Sequence, residues 1–124
     1  MILLIAAVLI FVYYQSLANN SLQQVPSTKK IATIIATQQI GKDKPVTINI
    51  VSGKTALDLL QQTAKVQTTG QGTNAFVTQI NNVKTDSSKK QYWAFYVNGK
   101  LSAVGAGSYK LNSGDKIEWK LENY

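Results

Sequence analysis

Two short stretches of the chain carry residue types that could do chemistry, and each falls short of the full pattern. Residues 51–55, Val-Ser-Gly-Lys-Thr, follow a predicted strand and open a predicted helix, as a phosphate-binding loop does. The first glycine of that motif would fall at Ile48, so we interpret the stretch as a turn and a helix cap. Residues 87–90, Ser-Ser-Lys-Lys, match the Ser-x-x-Lys spacing of penicillin-binding enzymes, but they lie in a polar loop where a lysine stays protonated.

The acidic side chains could in principle supply the carboxylate pair of a glycosidase. They are Asp43, Asp58, Asp86, Asp115, Glu118 and Glu122. Asp58 has the spacing of a helix cap after Thr55, and Asp115 belongs to a turn. Glu118 and Glu122 share one face of a strand among lysines, which is typical of a solvated sheet face. We therefore predict that the chain is not an enzyme.

The composition narrows the chemistry further. The 124 residues include 13 lysines and six acids, for a net charge of +7, with no Arg, no His and no Cys. The chain therefore lacks the usual zinc ligands, a thiol nucleophile and the commonest general base near neutral pH. Scattered lysines without arginine also argue against a nucleic-acid partner, because arginine makes the bidentate contacts with phosphates and bases. A diffuse positive charge instead suits residence beside anionic polymers of a cell envelope.

The N-terminal segment differs from the rest of the chain. Residues 2–14 are all apolar or aromatic and would span about 20 Å as a helix, against about 30 Å for the hydrocarbon core of a bilayer. Residues 16–18, Ser-Leu-Ala, match the small-x-small pattern at which signal peptidase cleaves. We predict that residues 1–18 are a signal peptide cleaved after Ala18 or, if retained, a short membrane anchor. The remainder is then exported, either secreted or held on the outer face of the membrane.

The rest of the chain divides into a linker and one domain. Residues 19–30 are polar and contain Pro26, which predicts a linker, and residues 31–124 are long enough for a single domain. Alternating apolar residues predict strands at 45–51 and 116–121, and β-branched or aromatic content predicts further strands at 31–40, 76–80, 92–97 and 100–104. A capping box at Thr55 and Asp58 predicts the start of a helix of roughly three turns. Its apolar stripe is formed by Ala56, Leu59, Leu60 and Ala64. These elements predict an α+β, β-grasp-like mixed sheet of about five strands packed on one helix.

The clearest local signal is a hairpin around Asn98-Gly99, which favours a type I′ turn because both central residues need a positive φ. Alternation places one set of its side chains on the core face, where we expect Trp93 to pack under Leu59 and Leu60. This core-facing set is Trp93, Phe95 and Val97. The opposite, outward set is Tyr92, Ala94 and Tyr96. In the last strand, the residues predicted to face inward are Ile117, Trp119 and Leu121.

Several of these segments together resemble a known family. They are residues 55–60, residues 75–80, Tyr92-Trp93, Asn98-Gly99, Gly105 and Gly114-Asp115. From about residue 31 to its end, the chain is similar to the transcobalamin C-terminal-like domain family. The resemblance implies a β-grasp-like domain that is usually exported, and that closes over one side of the corrin ring in transcobalamin-type proteins. It therefore makes cobalamin or a related corrinoid the candidate ligand.

The predicted binding surface combines the outward tyrosines with the small, flexible segment that follows the hairpin. Tyrosine rings can stack on a flat ligand, and a backbone rich in glycine can approach it closely. The candidate ligand-binding residues are Tyr92, Tyr96, Ser102, Gly105, Gly107 and Tyr109. In a structural alternative, the glycines only turn the chain and the tyrosines fill cross-strand pairs.

Two functional hypotheses remain open. In the first, the chain is an exported or membrane-anchored cell-surface binding module for a flat small ligand such as a corrinoid, with a transporter subunit as partner. In the second, it is an adhesion or assembly module that contacts envelope protein or polymer without a small ligand. The first predicts a concavity beside the tyrosines, and the second predicts a flat aromatic face or an exposed sheet edge.

Overall fold

The structure, a computed structural model, describes residues 30–124, and the predicted leader (1–18) and nearly all of the predicted linker (19–30) lie outside this range. One α-helix, α1, spans Ala56–Thr63. The strands are β1 Thr33–Ile40, β2 Val46–Val51, β3 Val66–Thr69, β4 Phe76–Ile80, β5 Val83–Lys84, β6 Gln91–Val97, β7 Lys100–Leu101 and β8 Lys116–Asn123. Short 3-10 turns occupy Gly72–Asn74 and Ser87–Lys89. Within residues 30–124, no helix is long and apolar enough to cross a bilayer.

The strands form two sheets. Five of them make a mixed sheet in the order β2-β1-β8-β6-β7, in which β1 and β8 are parallel and the other neighbours are antiparallel. This confirms the predicted α+β architecture, with the first two predicted strands as neighbours in the sheet. The expected place of residues 76–80 in that sheet was wrong, because β4 pairs with β3 and β5 in a separate antiparallel sheet. The sequence did not indicate β3 or β5, since one has four residues and the other has two.

The helix begins where its capping box predicts. The amide of Asp58 donates to Thr55 Oγ1 at 3.2 Å, and the amide of Thr55 donates to Asp58 Oδ2 at 2.8 Å, so each side chain satisfies an amide at the helix start. Gly53 precedes the cap with a φ of +91°, which confirms that residues 51–55 form a turn and a cap. The helix is shorter than predicted, because it ends at Thr63 and leaves Ala64 as an extended C-cap.

The core fills the space between the large sheet, the helix and the small sheet. Its fully buried large side chains are Trp119, Leu59, Leu60, Ile80 and Ile117. The rings of Phe95 and Trp119 stack at 5.2 Å between centroids, and Trp93 Nε1 donates to the carbonyl of Val83 in the small sheet. Leu121 lies on the predicted inward face, opposite Trp93, but it is 37% exposed, because the cover over β8 ends beyond Trp119.

The hairpin is confirmed in its turn but not in its length. Asn98 and Gly99 have φ values of +52° and +84°, as a type I′ turn requires. The second strand stops at Leu101 instead of residue 104. Ala94 was predicted to face outward but is 3% exposed, because its small side chain lies between the larger side chains of Tyr92 and Tyr96 on the same face.

Candidate functional site

A cavity of about 230 Å³ opens where strand β7 ends, and we call it the edge cavity. Residues 92–95 of β6 form one wall, residues 75–77 at the start of β4 form the second, and residues 101–106 form the third. Trp119 also lines it. None of the described residues that line the edge cavity is charged, so it favours an apolar ligand body with hydrogen bonds from neutral groups.

Among residues 30–124, one residue of β6, Trp93, has no backbone partner on the side that faces this cavity. The amide of Ser102 donates to the carbonyl of Phe95 at 3.1 Å, so Phe95 turns its backbone groups away from β8 and toward β7. Backbone direction alternates along a strand, so Trp93 turns its N–H and C=O to the same side, beyond the end of β7. Among residues 30–124, no loop backbone hydrogen bond reaches Trp93. A donor and an acceptor of β6 are therefore available to a ligand at the edge cavity.

The structure brings together half of the predicted binding residues. Tyr92, Ser102 and Gly105 line the edge cavity. The Ser102 hydroxyl donates to the carbonyl of Val104 at 2.8 Å and shapes the third wall. The other predicted residues, Tyr96, Gly107 and Tyr109, do not line it.

Tyr96 lies on the outer face of the large sheet. Its hydroxyl donates to Glu122, as does that of Tyr92 at 3.4 Å, so one carboxylate receives both phenols. The hydrogen bond to Glu122 raises the pKa of Tyr96 to about 12. Lys120 Nζ lies 4.3 Å from the centre of the Tyr96 ring and 4.0 Å from Glu118. This ring is therefore already in contact with charged groups of its own sheet.

Gly107 and Tyr109 belong to the loop that packs against the start of the helix. The amide of Leu57 donates to the carbonyl of Ala106, and the amide of Ala56 donates to that of Tyr109, so this loop satisfies amides of the first helical turn. A Cβ at Gly107 would clash with the carbonyl of Gly72. For these two residues the geometry therefore supports the structural alternative.

Asp115 is the polar centre of that loop and is only 5% exposed. Its Oδ2 accepts from the hydroxyl of Tyr109 and the amide of Asn112, both at 2.8 Å, and its Oδ1 accepts from the side chain of Asn98 at 3.0 Å. Burial, and then the bond to Asp115, raise the pKa of Tyr109. The buried carboxylate thus links the hairpin turn at Asn98 to the loop that accepts hydrogen bonds from the first turn of the helix.

Sequence reasoning missed the apolar rim of the edge cavity. Phe76 and Val104 are 52% and 49% exposed at its mouth, and Trp93 was assigned to the core alone. The cavity depends on contact between two sheets and on the early end of β7, neither of which a local pattern shows. The available signal was the apolar Ala75-Phe76-Val77 run, of which only Val77 is fully buried.

The acidic residues do not converge in the edge cavity. Glu118 lies within 4.0 Å of both Lys116 and Lys120 on the outer face, and Asp86 caps the 3-10 turn through the amide of Ser88. The bond from the Ser88 hydroxyl lowers the pKa of Asp86. Among residues 30–124, no group of three or more His, Cys, Asp or Glu is placed to hold a metal ion.

Comparisons with known proteins agree with this architecture. The model of a family described as Domain of unknown function (DUF4430) matches residues 53–123. No curated protein matches the chain in sequence. A crystal structure of a protein from Ruminococcus gnavus ATCC 29149, described provisionally as metal binding, aligns with a TM-score of 0.58 at 20% identity. That alignment covers 74% of this chain and 97% of the other.

Haptocorrin, in a crystal structure of its complex with Cbi, is also similar in fold. It aligns with a TM-score of 0.62 at 16% identity, over 79% of this chain and 27% of haptocorrin. The family match and this shared fold confirm the resemblance that the sequence indicated to the transcobalamin C-terminal-like domains.

Proposed function

Because the chain belongs to the family described as Domain of unknown function (DUF4430) and shares its fold with part of haptocorrin, we propose that it is a non-enzymatic binding module whose edge cavity takes a flat small ligand such as a corrinoid. The observation that carries the proposal is that Trp93, which lines the apolar edge cavity, has a backbone N–H and C=O without a loop partner among residues 30–124. A corrin ring offers an apolar edge together with peripheral carboxamides. One carboxamide can donate to the carbonyl of Trp93 and accept from its N–H.

The size of the edge cavity determines how much of a ligand it can cover. Pockets that enclose a drug-sized ligand usually measure about 300–1,000 Å³. At about 230 Å³, the edge cavity would cover one rim of a large ring and leave the rest to solvent or to a second protein. We therefore propose a receptor or an accessory subunit of a transporter, exported or anchored at the outer face of the membrane.

Titration with dicyanocobinamide, followed by calorimetry and visible absorbance, tests this proposal. We expect saturable binding that weakens at least tenfold in the Val104→Asp variant, because that change places a charge at the apolar mouth. Val46→Asp is the matched control, since Val46 is 56% exposed on β2 and does not line the edge cavity. The proposal is wrong if no heat or spectral change appears at millimolar ligand, or if the two variants bind alike.

A second candidate function rests on the opposite edge of the large sheet. Within residues 30–124, strand β2 is paired only with β1, and Val46 and Val51 are 56% and 41% exposed along it. Such an edge can add a strand from an envelope protein, which would make the chain an adhesion or assembly module. A proline at Asn49, which is exposed on β2, should abolish capture of an envelope protein if pairing occurs there and leave dicyanocobinamide binding unchanged.

Export has its own test. Mass spectrometry of the mature N-terminus should show cleavage after Ala18 or a retained leader in the membrane fraction. Intact chain in the cytosol would contradict the proposed location.

A further inference from the structure

A second cavity, of about 380 Å³, lies where strand β1 ends beside β8, and we call it the β8 cleft. It is lined by Gly41, Lys42, Trp93, Lys120 and Leu121. Trp93 separates it from the edge cavity, and the other four residues belong to the β8 cleft alone. The β8 cleft therefore shares Trp93 with the proposed corrinoid site and is otherwise a distinct place on the surface.

The β8 cleft exists because no other element covers the core face of β8 near the C-terminal end of this strand, within residues 30–124. Ile117 and Trp119 are 0% and 1% exposed, whereas Leu121, two residues further along the same face, is 37% exposed. The register confirms the face, because Leu121 pairs with Trp93. Apolar surface left in water costs about 25 cal/mol per Å², so an apolar ligand that covers Leu121 would gain free energy.

Both charged residues of the β8 cleft are lysines, and no acid lines it. The ammonium group of Lys120 is already shared between Glu118 and the Tyr96 ring on the outer face. Lys42 is exposed, and within residues 30–124 it takes part in no salt bridge. One ammonium group beside an apolar floor is complementary to a single anionic head on an apolar chain.

We propose that the β8 cleft binds a single-chain amphiphile with a carboxylate head, such as a fatty acid. The alkyl chain packs against Leu121 and the indole of Trp93, and the carboxylate pairs with Lys42. One free ammonium group neutralises one negative charge, which favours a monovalent carboxylate over a phosphate monoester that carries nearly two.

Octanoate tests the proposal, with 1-octanol as the uncharged ligand of equal chain length. Calorimetry and tryptophan fluorescence should show saturable octanoate binding, weaker binding of 1-octanol, and loss of octanoate binding in Leu121→Asp. Lys42→Gln should weaken octanoate binding about 1.5-fold to fivefold, the range of one exposed ion pair. Lys44→Gln is the matched control, because Lys44 carries the same charge two residues away and does not line the β8 cleft.

Three outcomes would overturn the assignment. The first is no saturable octanoate binding up to about 10 mM, the range of very weak complexes. The second is equal binding of octanoate and 1-octanol, and the third is an equal effect of Lys42→Gln and Lys44→Gln. Leu121 and both lysines are exposed, and circular dichroism of each variant checks that the fold is kept.

Discussion

The segment that follows the hairpin has two halves, both of which contain small residues, with different physical roles. In the first half, residues 101–105, all but Ala103 line the edge cavity, as does Ala106 at the start of the second half. Gly105 can accept a Cβ, whose nearest contact would be the carbonyl of Thr73 at an ordinary 3.5 Å. Residues 106–115 instead supply the acceptors for the first turn of α1 and surround the buried Asp115. The sequence assigned residues from both halves to one binding surface.

The difference shows that free hydrogen-bonding groups indicate a site better than small residues do. In the second half, the polar groups are already used by the helix, the turn and Asp115. Beside the first half, the backbone of Trp93 has no loop partner. Variants that change stability but not ligand binding, or ligand binding but not stability, test this difference between the two halves.

The largest effect is expected at Asp115. Asp115→Ala removes the acceptor for Tyr109, Asn112 and Asn98, so buried donors lose a charged partner. We expect the free energy of unfolding to fall by about 3 kcal/mol, as for hydrogen bonds to a buried charged group. Urea unfolding measures this change, with Asp43→Ala as an exposed control. A loss equal to that of the control would show that the second half is not an anchor.

A pair of glycines gives the next effect. Gly107→Ala forces a Cβ against the carbonyl of Gly72 and should cost about 2 kcal/mol, as overpacking does. Gly105 has a negative φ and room for a Cβ, so Gly105→Ala should change the free energy of unfolding by less than about 0.5 kcal/mol. Thermal unfolding of both variants checks the contrast, and equal destabilisation would remove the distinction between the two halves.

Gly105→Ala should nevertheless affect ligand binding, because Gly105 lines the edge cavity. Dicyanocobinamide affinity should fall in this variant without loss of stability. Unchanged affinity would separate Gly105 from the proposed site while leaving its structural assignment intact.

Local patterns were sufficient wherever neighbours in sequence determine the structure. The capping box of Thr55 and Asp58 and the turn at Asn98-Gly99 depend on residues within four positions, and both were predicted correctly. The alternation of Ile117 and Trp119 was also correct, because a covered strand buries one face.

The errors occur where a distant segment decides the outcome. Leu121 obeys the same alternation as Trp119, but its exposure depends on where the cover over β8 ends. Strand β4 has a clear strand pattern, yet its sheet is decided by the short partners β3 and β5. Only half of the candidate binding residues were predicted correctly, because residue types indicate which groups can bind a ligand. Packing with distant segments decides which of those groups have no partner within the protein.

A smaller effect on the free energy of unfolding is expected at Tyr109, and this effect depends on pH. Its pKa is raised above 10, so the contribution of its hydrogen bond to stability is complete below pH 10 and is lost as pH rises through the folded pKa. Tyr109→Phe should cost about 1 kcal/mol at pH 7 and show a smaller further loss of stability above pH 10 than the unmodified chain does. Urea unfolding at a series of pH values measures both. Parallel curves for the two proteins above pH 10 would contradict the anchoring role of this phenol.

The smallest effect on stability is expected on the outer face, where the tyrosine hydroxyls are hydrogen-bonded but their surroundings are open to solvent. Glu122→Gln removes the charge that holds the phenol of Tyr96, so the pKa of Tyr96 should fall from about 12 toward 10. Absorbance at the phenolate band during an alkaline titration measures the shift, with Tyr96→Phe identifying the signal. Stability at pH 7 should change by less than about 0.5 kcal/mol, because exposed charged contacts contribute little. A large loss of stability would mean that the outer face is as firmly anchored as the loop around Asp115. Hydrogen bonding alone, without burial, would then be enough to distinguish segments that stabilise the fold from segments that are free to bind a ligand.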